Sequence, residues 1–226
     1  MAVNQQDQKE IPFHILEKKL YTAALCDVMD EMGYRHQAMH ERIRPLDGSF
    51  VCAGRAKTIL AVDVYQLSDD PYKMEIESVD SVRPDEVIVA CTNNSIRTGF
   101  WGELLSTAAQ TRGARGVIVD GLVRDVKKIV ALGFPVFAAG IKPVDSKGRS
   151  IVLNYDCPTA RCLQPGSRAA RRRAPGSCGQ GNTMDQIHGP DNQRGSGWPA
   201  AGRWNCHSFV IAERSPMRIW PVSLRR

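Results

Sequence analysis

The chain has 226 residues, 42% of them hydrophobic and 24% charged, and a mass of 25.0 kDa. At about 150 residues per domain this allows one domain with an appendage, or two small ones. No apolar run approaches the roughly 18–20 residues that span a bilayer. The opening MAVNQQDQKEIPFHIL lacks the basic region and apolar core of a secretory signal. Membrane-spanning, coiled-coil and disulfide-miniprotein classes are excluded, and a cytoplasmic location is expected. A net charge of +6 leaves nucleic-acid binding open.

The charge is not evenly placed. Residues 1–156 hold 19 Lys and Arg against 21 Asp and Glu, whereas residues 157–226 hold 11 Arg, no Lys and 3 acids. That last part also carries 8 of the 19 Gly, 7 of the 13 Pro and 3 of the 4 Trp, but only seven Leu, Ile or Val. So few aliphatic side chains bury too little surface to offset the entropy of ordering the segment. Residues 159–226 are therefore expected as a low-order, protease-sensitive tail, and residues 1–12 as a flexible amino terminus. Arg without Lys, beside abundant Gly, Pro, Ser and Trp, is also what a GC-rich gene yields in a shifted frame. This predicts that the natural carboxy-terminal sequence is replaced after about residue 158.

A nucleic-acid arm around Arg171, Arg172 and Arg173, with Trp198 and Trp204, is the competing reading. The arginines are spread thin and no aromatic–basic module accompanies them, so no nucleic-acid partner is expected. Cys157, Cys162, Cys178 and Cys206 with His188 and His207 show no CxxC spacing and make a poor zinc set. Cys26, Cys52 and Cys91 lie in apolar contexts and read as buried thiols.

Residues 11–156 are patterned. Thr22 opens an amphipathic helix that runs to about Met32 and stops at Gly33. Gly54–Val64 reads as a strand, and Tyr72–Val82 as a short helix ended by Pro84. The apolar run EVIVAC, Glu86–Cys91, reads as a buried strand. A turn at Gly99–Gly102 then opens a helix that reaches Arg112 and closes at Gly113. Gly116–Val119 is a strand, Val123–Leu132 a helix and Pro135–Ala139 a strand. This alternation predicts an α/β fold with a largely parallel sheet.

Ligands in such sheets gather beyond the carboxyl ends of the strands. Three features converge there: the helix opening at Glu103, the Asp120-Gly121 turn, and Arg124-Asp125. Each has a plainer reading as a tight turn, a helix cap or a solvated first turn. Together they suit a small carboxylate and a metal. Free amides at a helix start attract an anion, Arg forks onto a carboxylate, and Asp offers the hard oxygen that Mg2+ or Mn2+ prefers.

The stretch GFWGELLSTAAQTRGARGVIVDGLVRDVKKIVALGFPVFAAGIKPVDSKGR, residues 99–149, closely resembles the RraA-like family. Its marks are G-[DE]-L-L, G-x-x-x-D-G-x-x-R-D and G-F-P-V-F; the similarity covers roughly residues 15–156 and implies a domain over residues 13–158. The family includes the 4-hydroxy-4-methyl-2-oxoglutarate/4-carboxy-4-hydroxy-2-oxoadipate aldolases and a regulator of ribonuclease activity. The resemblance implies a swivelling β/β/α sandwich, assembled as trimers or hexamers, with a class II pyruvate aldolase activity and oxaloacetate decarboxylation beside it. It also implies roles for residues. Gly102, Glu103, Leu104 and Leu105 would hold the pyruvoyl group, and Arg124 its carboxylate or keto oxygen. Asp125 would hold the divalent cation, and Glu103 would orient water beside it. Lys127 and Lys128 are expected as solvated helix residues, since no Schiff base is needed. A non-catalytic interaction module like the ribonuclease regulator, or another lyase such as a sugar-acid dehydratase, are the alternatives. After the Cys157-Pro158 position nothing matches the family, so its carboxy-terminal strand, its acidic helix and the acid donated to a neighbouring subunit are missing or replaced.

Overall fold

The computed structural model describes residues 12–35, 38–157, 159, 208–212 and 218–221, the last two segments as backbone only. The predicted amino-terminal extension, the Arg171–Arg173 arm and most of the candidate zinc residues lie outside the described residues. Two helices open the chain, α1 (Phe13–Lys19) and α2 (Thr22–Glu31). Then follow β1 (Arg44–Pro45), β2 (Cys52–Asp63), α3 (Lys73–Asp80), β3 (Glu86–Cys91) and β4 (Gly99–Trp101). Next come α4 (Glu103–Thr111), β5 (Gly116–Val123), α5 (Val126–Leu132), β6 (Val136–Ile141) and β7 (Ser150–Tyr155). Strands β8 (Ser208–Ala212) and β9 (Arg218–Pro221) complete the described elements. Among the described residues no helix is long and apolar enough to cross a membrane.

The described strands join one mixed sheet, seven of them in the order β1-β6-β5-β3-β2-β8-β9, with β4 paired to β5 and β7 to β2 off this path. The central four, β6, β5, β3 and β2, are parallel neighbours, linked through α3, α4 and α5. These three helices lie side by side along one face. Residues of β3 alternate strictly between the two faces, as the pleat requires. Ile88 and Ala90 pack with Val79 of α3, Ala109 of α4 and Ile129 of α5. Val87, Val89 and Cys91 face Met39, Ile43 and Phe50 on the other side. Burial on both faces is why these strands read as unbroken apolar runs.

Parallel direction puts the carboxyl ends of β2, β3, β5 and β6 on one edge, where the loops that follow them gather. Three expectations change there. Gly99–Gly102 is not a turn: Gly99–Trp101 forms β4, parallel to the end of β5. The stretch is apolar and fully buried, and a Cβ on Gly99 would meet the Lys142 carbonyl oxygen at 2.2 Å. The helix expected from Val123 begins only at Val126, because β5 runs on through Val123. Asp120 caps no helix. It sits inside β5 at an irregularity in the pairing, 1% exposed, and accepts from the Thr92 amide at 2.5 Å and the Thr92 hydroxyl at 2.6 Å. The tail supplies β8, paired antiparallel with Cys52–Arg55 of β2. Its SFVIA sequence is a local β-forming run.

Candidate functional site

The site grows from the junction of β4 with α4 and of β5 with α5. Gly102 is the extended residue that caps α4. The indole Nε1 of Trp101 donates to Ser106 Oγ at 2.9 Å, and that hydroxyl donates to the Gly102 carbonyl at 2.9 Å. The helix start is thus fixed from within. Its first internal bond runs from the Ser106 amide to the Gly102 carbonyl, 3.1 Å. The amides of Glu103, Leu104 and Leu105 precede it and have no acceptor inside the helix.

Beside this helix start, the Arg124 amide donates to the Trp101 carbonyl at 2.8 Å, tying the end of β5 to the end of β4. The next residue, Asp125, has φ 57° and ψ 31°, a left-handed conformation at the N-cap of α5. This turn aims its carboxylate back at α4: Oδ2 accepts from the Glu103 amide at 3.2 Å. Arg124 Nε lies 3.5 Å from the same oxygen, and Arg124 Nη1 lies 3.1 Å from Asp145 Oδ1. Glu103 Oε1 pairs with Lys128 Nζ at 3.3 Å. Gly102, Glu103, Leu104, Leu105, Arg124 and Asp125, all singled out from the sequence, are therefore brought together at the carboxyl edge.

Two residues at this edge were not foreseen. Asp145 lies in the loop after β6, and Tyr72 just precedes α3; the Tyr72 hydroxyl donates to Asp145 Oδ2 at 2.5 Å. Desolvation would raise the Asp145 carboxyl. The Tyr72 hydroxyl, the Lys147 and Ser146 amides and Arg124 outweigh it and hold the group below its ordinary range. Behind it, Glu75 of α3 is 8% exposed and accepts from Ser146 Oγ at 3.3 Å. Burial, with help from Asp145, pushes the Glu75 carboxyl up to about 7 against the opposing Ser146 bond and Arg124 charge. The signal for Asp145 was its place in KPVDSKGR, directly after a strand whose carboxyl end the topology assigns to this edge.

Arg124 and Lys128 face Asp125, Asp145 and Glu103, so the rim carries one more acid than base. Among the described residues no group of three His, Cys, Asp or Glu could cage a metal ion. The donor set suits a different kind of binding. Mg2+ commonly takes one or two carboxylates and fills its other positions with water and substrate oxygens. Asp125 and Glu103, both partly exposed on an acidic rim, fit that pattern.

The RraA-like family (Aldolase/RraA) matches residues 22–160. Among relatives, protein DlpA of Legionella pneumophila is 30% identical over 137 residues, which are 61% of this chain and 22% of DlpA. A Halalkalibacterium halodurans protein named "Putative 4-hydroxy-4-methyl-2-oxoglutarate aldolase" is 26% identical over 144 residues, 64% of each chain. This chain thus spans about a fifth of DlpA and less than two thirds of the Halalkalibacterium protein. Among solved structures, Streptomyces coelicolor RraAS2, described as an unusual member of the RNase ES inhibitor RraA family, superposes with a TM-score of 0.65 at 20% identity. That match covers 93% of this chain and 85% of the other, and it shows a shared fold.

Proposed function

Because the chain belongs to the RraA-like family, we propose that it is a carbon–carbon lyase of the class II, divalent-metal-dependent kind. Its substrates are 4-hydroxy-4-methyl-2-oxoglutarate or 4-carboxy-4-hydroxy-2-oxoadipate, cleaved to pyruvate and a second oxo acid, with oxaloacetate decarboxylation as a side reaction. A trimeric or hexameric assembly belongs to the same reading. One observation carries it: Asp125 Oδ2 stands within 3.2 Å of the Glu103 amide and 3.5 Å of Arg124 Nε. A carboxylate for a cation, a helix start for an anion and a guanidinium for an oxyanion thereby share one small rim.

The roles follow from charge. The amides of Leu104 and Leu105 take the pyruvoyl carboxylate at the positive end of α4. Arg124 lies against the keto oxygen. Asp125, with Glu103 beside it, would hold Mg2+ or Mn2+, which supplies further positive charge to the oxygen on which negative charge develops. In the retro-aldol direction the C4 hydroxyl gives up its proton to water held by Glu103, and the C3–C4 bond breaks. Its electron pair passes into the pyruvate enolate, and a proton returned to C3 completes pyruvate. Arg124 acts where charge appears only as the bond breaks, so its contribution belongs to the transition state.

The test is pyruvate release by the full chain from oxaloacetate and from 4-hydroxy-4-methyl-2-oxoglutarate, with Mg2+ and with EDTA. Metal-dependent release from both is expected. No release from either above the metal-only rate would overturn the reading. A specific observation favours a second one, a non-catalytic regulator: Arg124 is already paired with two carboxylates, as a purely structural arginine would be. An inactive chain that inhibits a ribonuclease would support it.

A further inference from the structure

We infer that Asp145, anchored by Tyr72, is a positioning residue that holds the Arg124 guanidinium for the reaction; the inference rests on the lyase reading above. Arg124 emerges at the end of β5 on a long, flexible side chain, and two carboxylates meet it from different directions. Asp125 approaches Nε at 3.5 Å and Asp145 approaches Nη1 at 3.1 Å. The two are not equivalent. Asp125 Oδ2 also accepts from the Glu103 amide and is the oxygen set offered to a cation. Once it serves a cation, its hold on Arg124 weakens, and Asp145 is the carboxylate left to fix the guanidinium.

Asp145 is built for that task. Its Oδ2 accepts from the Tyr72 hydroxyl at 2.5 Å and from the Lys147 amide at 3.3 Å, which leaves Oδ1 presented to Arg124. Its neighbour Ser146 is 3% exposed and bonded to the buried Glu75, so the loop is pinned beneath as well. The start of α3, the loop after β6 and the end of β5 are thereby joined through one carboxylate. Neither ion pair uses Nη2, the arm left for a substrate oxygen. A guanidinium whose direction is set before the substrate arrives costs less to organise when charge develops.

Asp145→Asn and Tyr72→Phe in the full chain test this. The first keeps the shape of the side chain and removes its charge; the second removes only a hydroxyl. Nitrogen-15 spectra of the arginine side chains provide a readout that needs no activity, the Arg124 Nε–H signal being the one lost in Arg124→Lys. In Asp145→Asn this signal should shift and broaden, and in Tyr72→Phe it should move the same way by less. With Mg2+ and oxaloacetate, kcat should fall about tenfold to a hundredfold in Asp145→Asn while KM stays within about threefold. An Arg124 signal unchanged in Asp145→Asn, or a rise in KM with kcat retained, would overturn the positioning role. A parent chain without turnover defeats the lyase reading separately, and the spectra then still decide whether Asp145 orders Arg124.

Discussion

A Cβ placed on Gly102 would stand 2.6 Å from Asp125 Oδ2 and 3.1 Å from both Cγ and Nε of Arg124. Gly102 has extended backbone angles open to any residue, so glycine is required here for space and not for conformation. Both side chains that it admits are the ones assigned to the chemistry. Gly102→Ala should therefore displace Asp125 and Arg124 and lower kcat/KM on oxaloacetate by about a hundredfold. The stability cost should stay near 1–2 kcal/mol, because side-chain ends and not backbone must give way. Steady-state kinetics beside thermal unfolding checks both parts.

Asp125 calls for two variants. Its carboxylate is the proposed cation ligand, and its left-handed backbone makes the same position matter to the fold. Alanine at positive φ costs roughly 1–2 kcal/mol, whereas asparagine tolerates the conformation. Asp125→Asn should keep the unfolding midpoint near the parent's and lose the activation by Mg2+. Asp125→Ala should lose both. Mg2+ titrations of activity and melting curves on the pair separate the charge from the turn.

For Arg124→Lys the charge survives and the fork is lost. A surface arginine would show a change below about 0.5 kcal/mol in stability and none in rate. On the lyase reading, in which Arg124 faces the developing enolate, its replacement should lower kcat and kcat/KM together by about 10²–10³. Initial rates over a range of oxaloacetate concentrations distinguish this from a loss confined to KM.

Glu75 gives a pH dependence with a definite sign. Its carboxyl titrates near 4.5 in the unfolded chain and at about 7 in the fold, where Asp145, Arg124 and Ser146 surround it. Between those values the folded chain holds a proton that the unfolded chain has released, so stability falls as pH rises through the window. The loss is on the order of 3 kcal/mol when complete. Glu75→Gln should remove this slope and be more stable than the parent at pH 8. Urea unfolding at pH 5 and pH 8 for both chains measures it.

The sequence made the parallel core legible because Glu86–Cys91 and the strand beginning at Gly116 are apolar on both faces. The same logic failed at Gly99–Trp101, where a three-residue strand bounded by glycines looks like a turn until its partner β5 is known. It failed again at Ser150–Tyr155, whose pairing depends on the far half of β2. In the site, neighbours within one motif were readable: Gly102 to Leu105, and Arg124 with Asp125. Asp145 and Tyr72 were not, since Asp145 meets Arg124 across about 20 residues of chain, Tyr72 meets Asp145 across 73, and both pairings are a property of the sheet order. Asp120 misled for the opposite reason. Its motif position is conspicuous, yet its Oδ1 accepts from the Thr92 amide and hydroxyl and its Oδ2 from the Cys91 thiol.

The left-handed turn at position 125 separates two kinds of failure that usually travel together. Aspartate, asparagine and glycine are the residues that sit there with least strain, and of these only aspartate is charged. On the lyase reading proposed above, drift to either of the others would remove the cation's carboxylate while leaving the architecture whole. On the same reading, a chain of this fold would shed its reaction in a single step and persist as a scaffold. Residue 125 is the position at which to ask whether a given protein of this fold still acts on a substrate or has become a partner for something else.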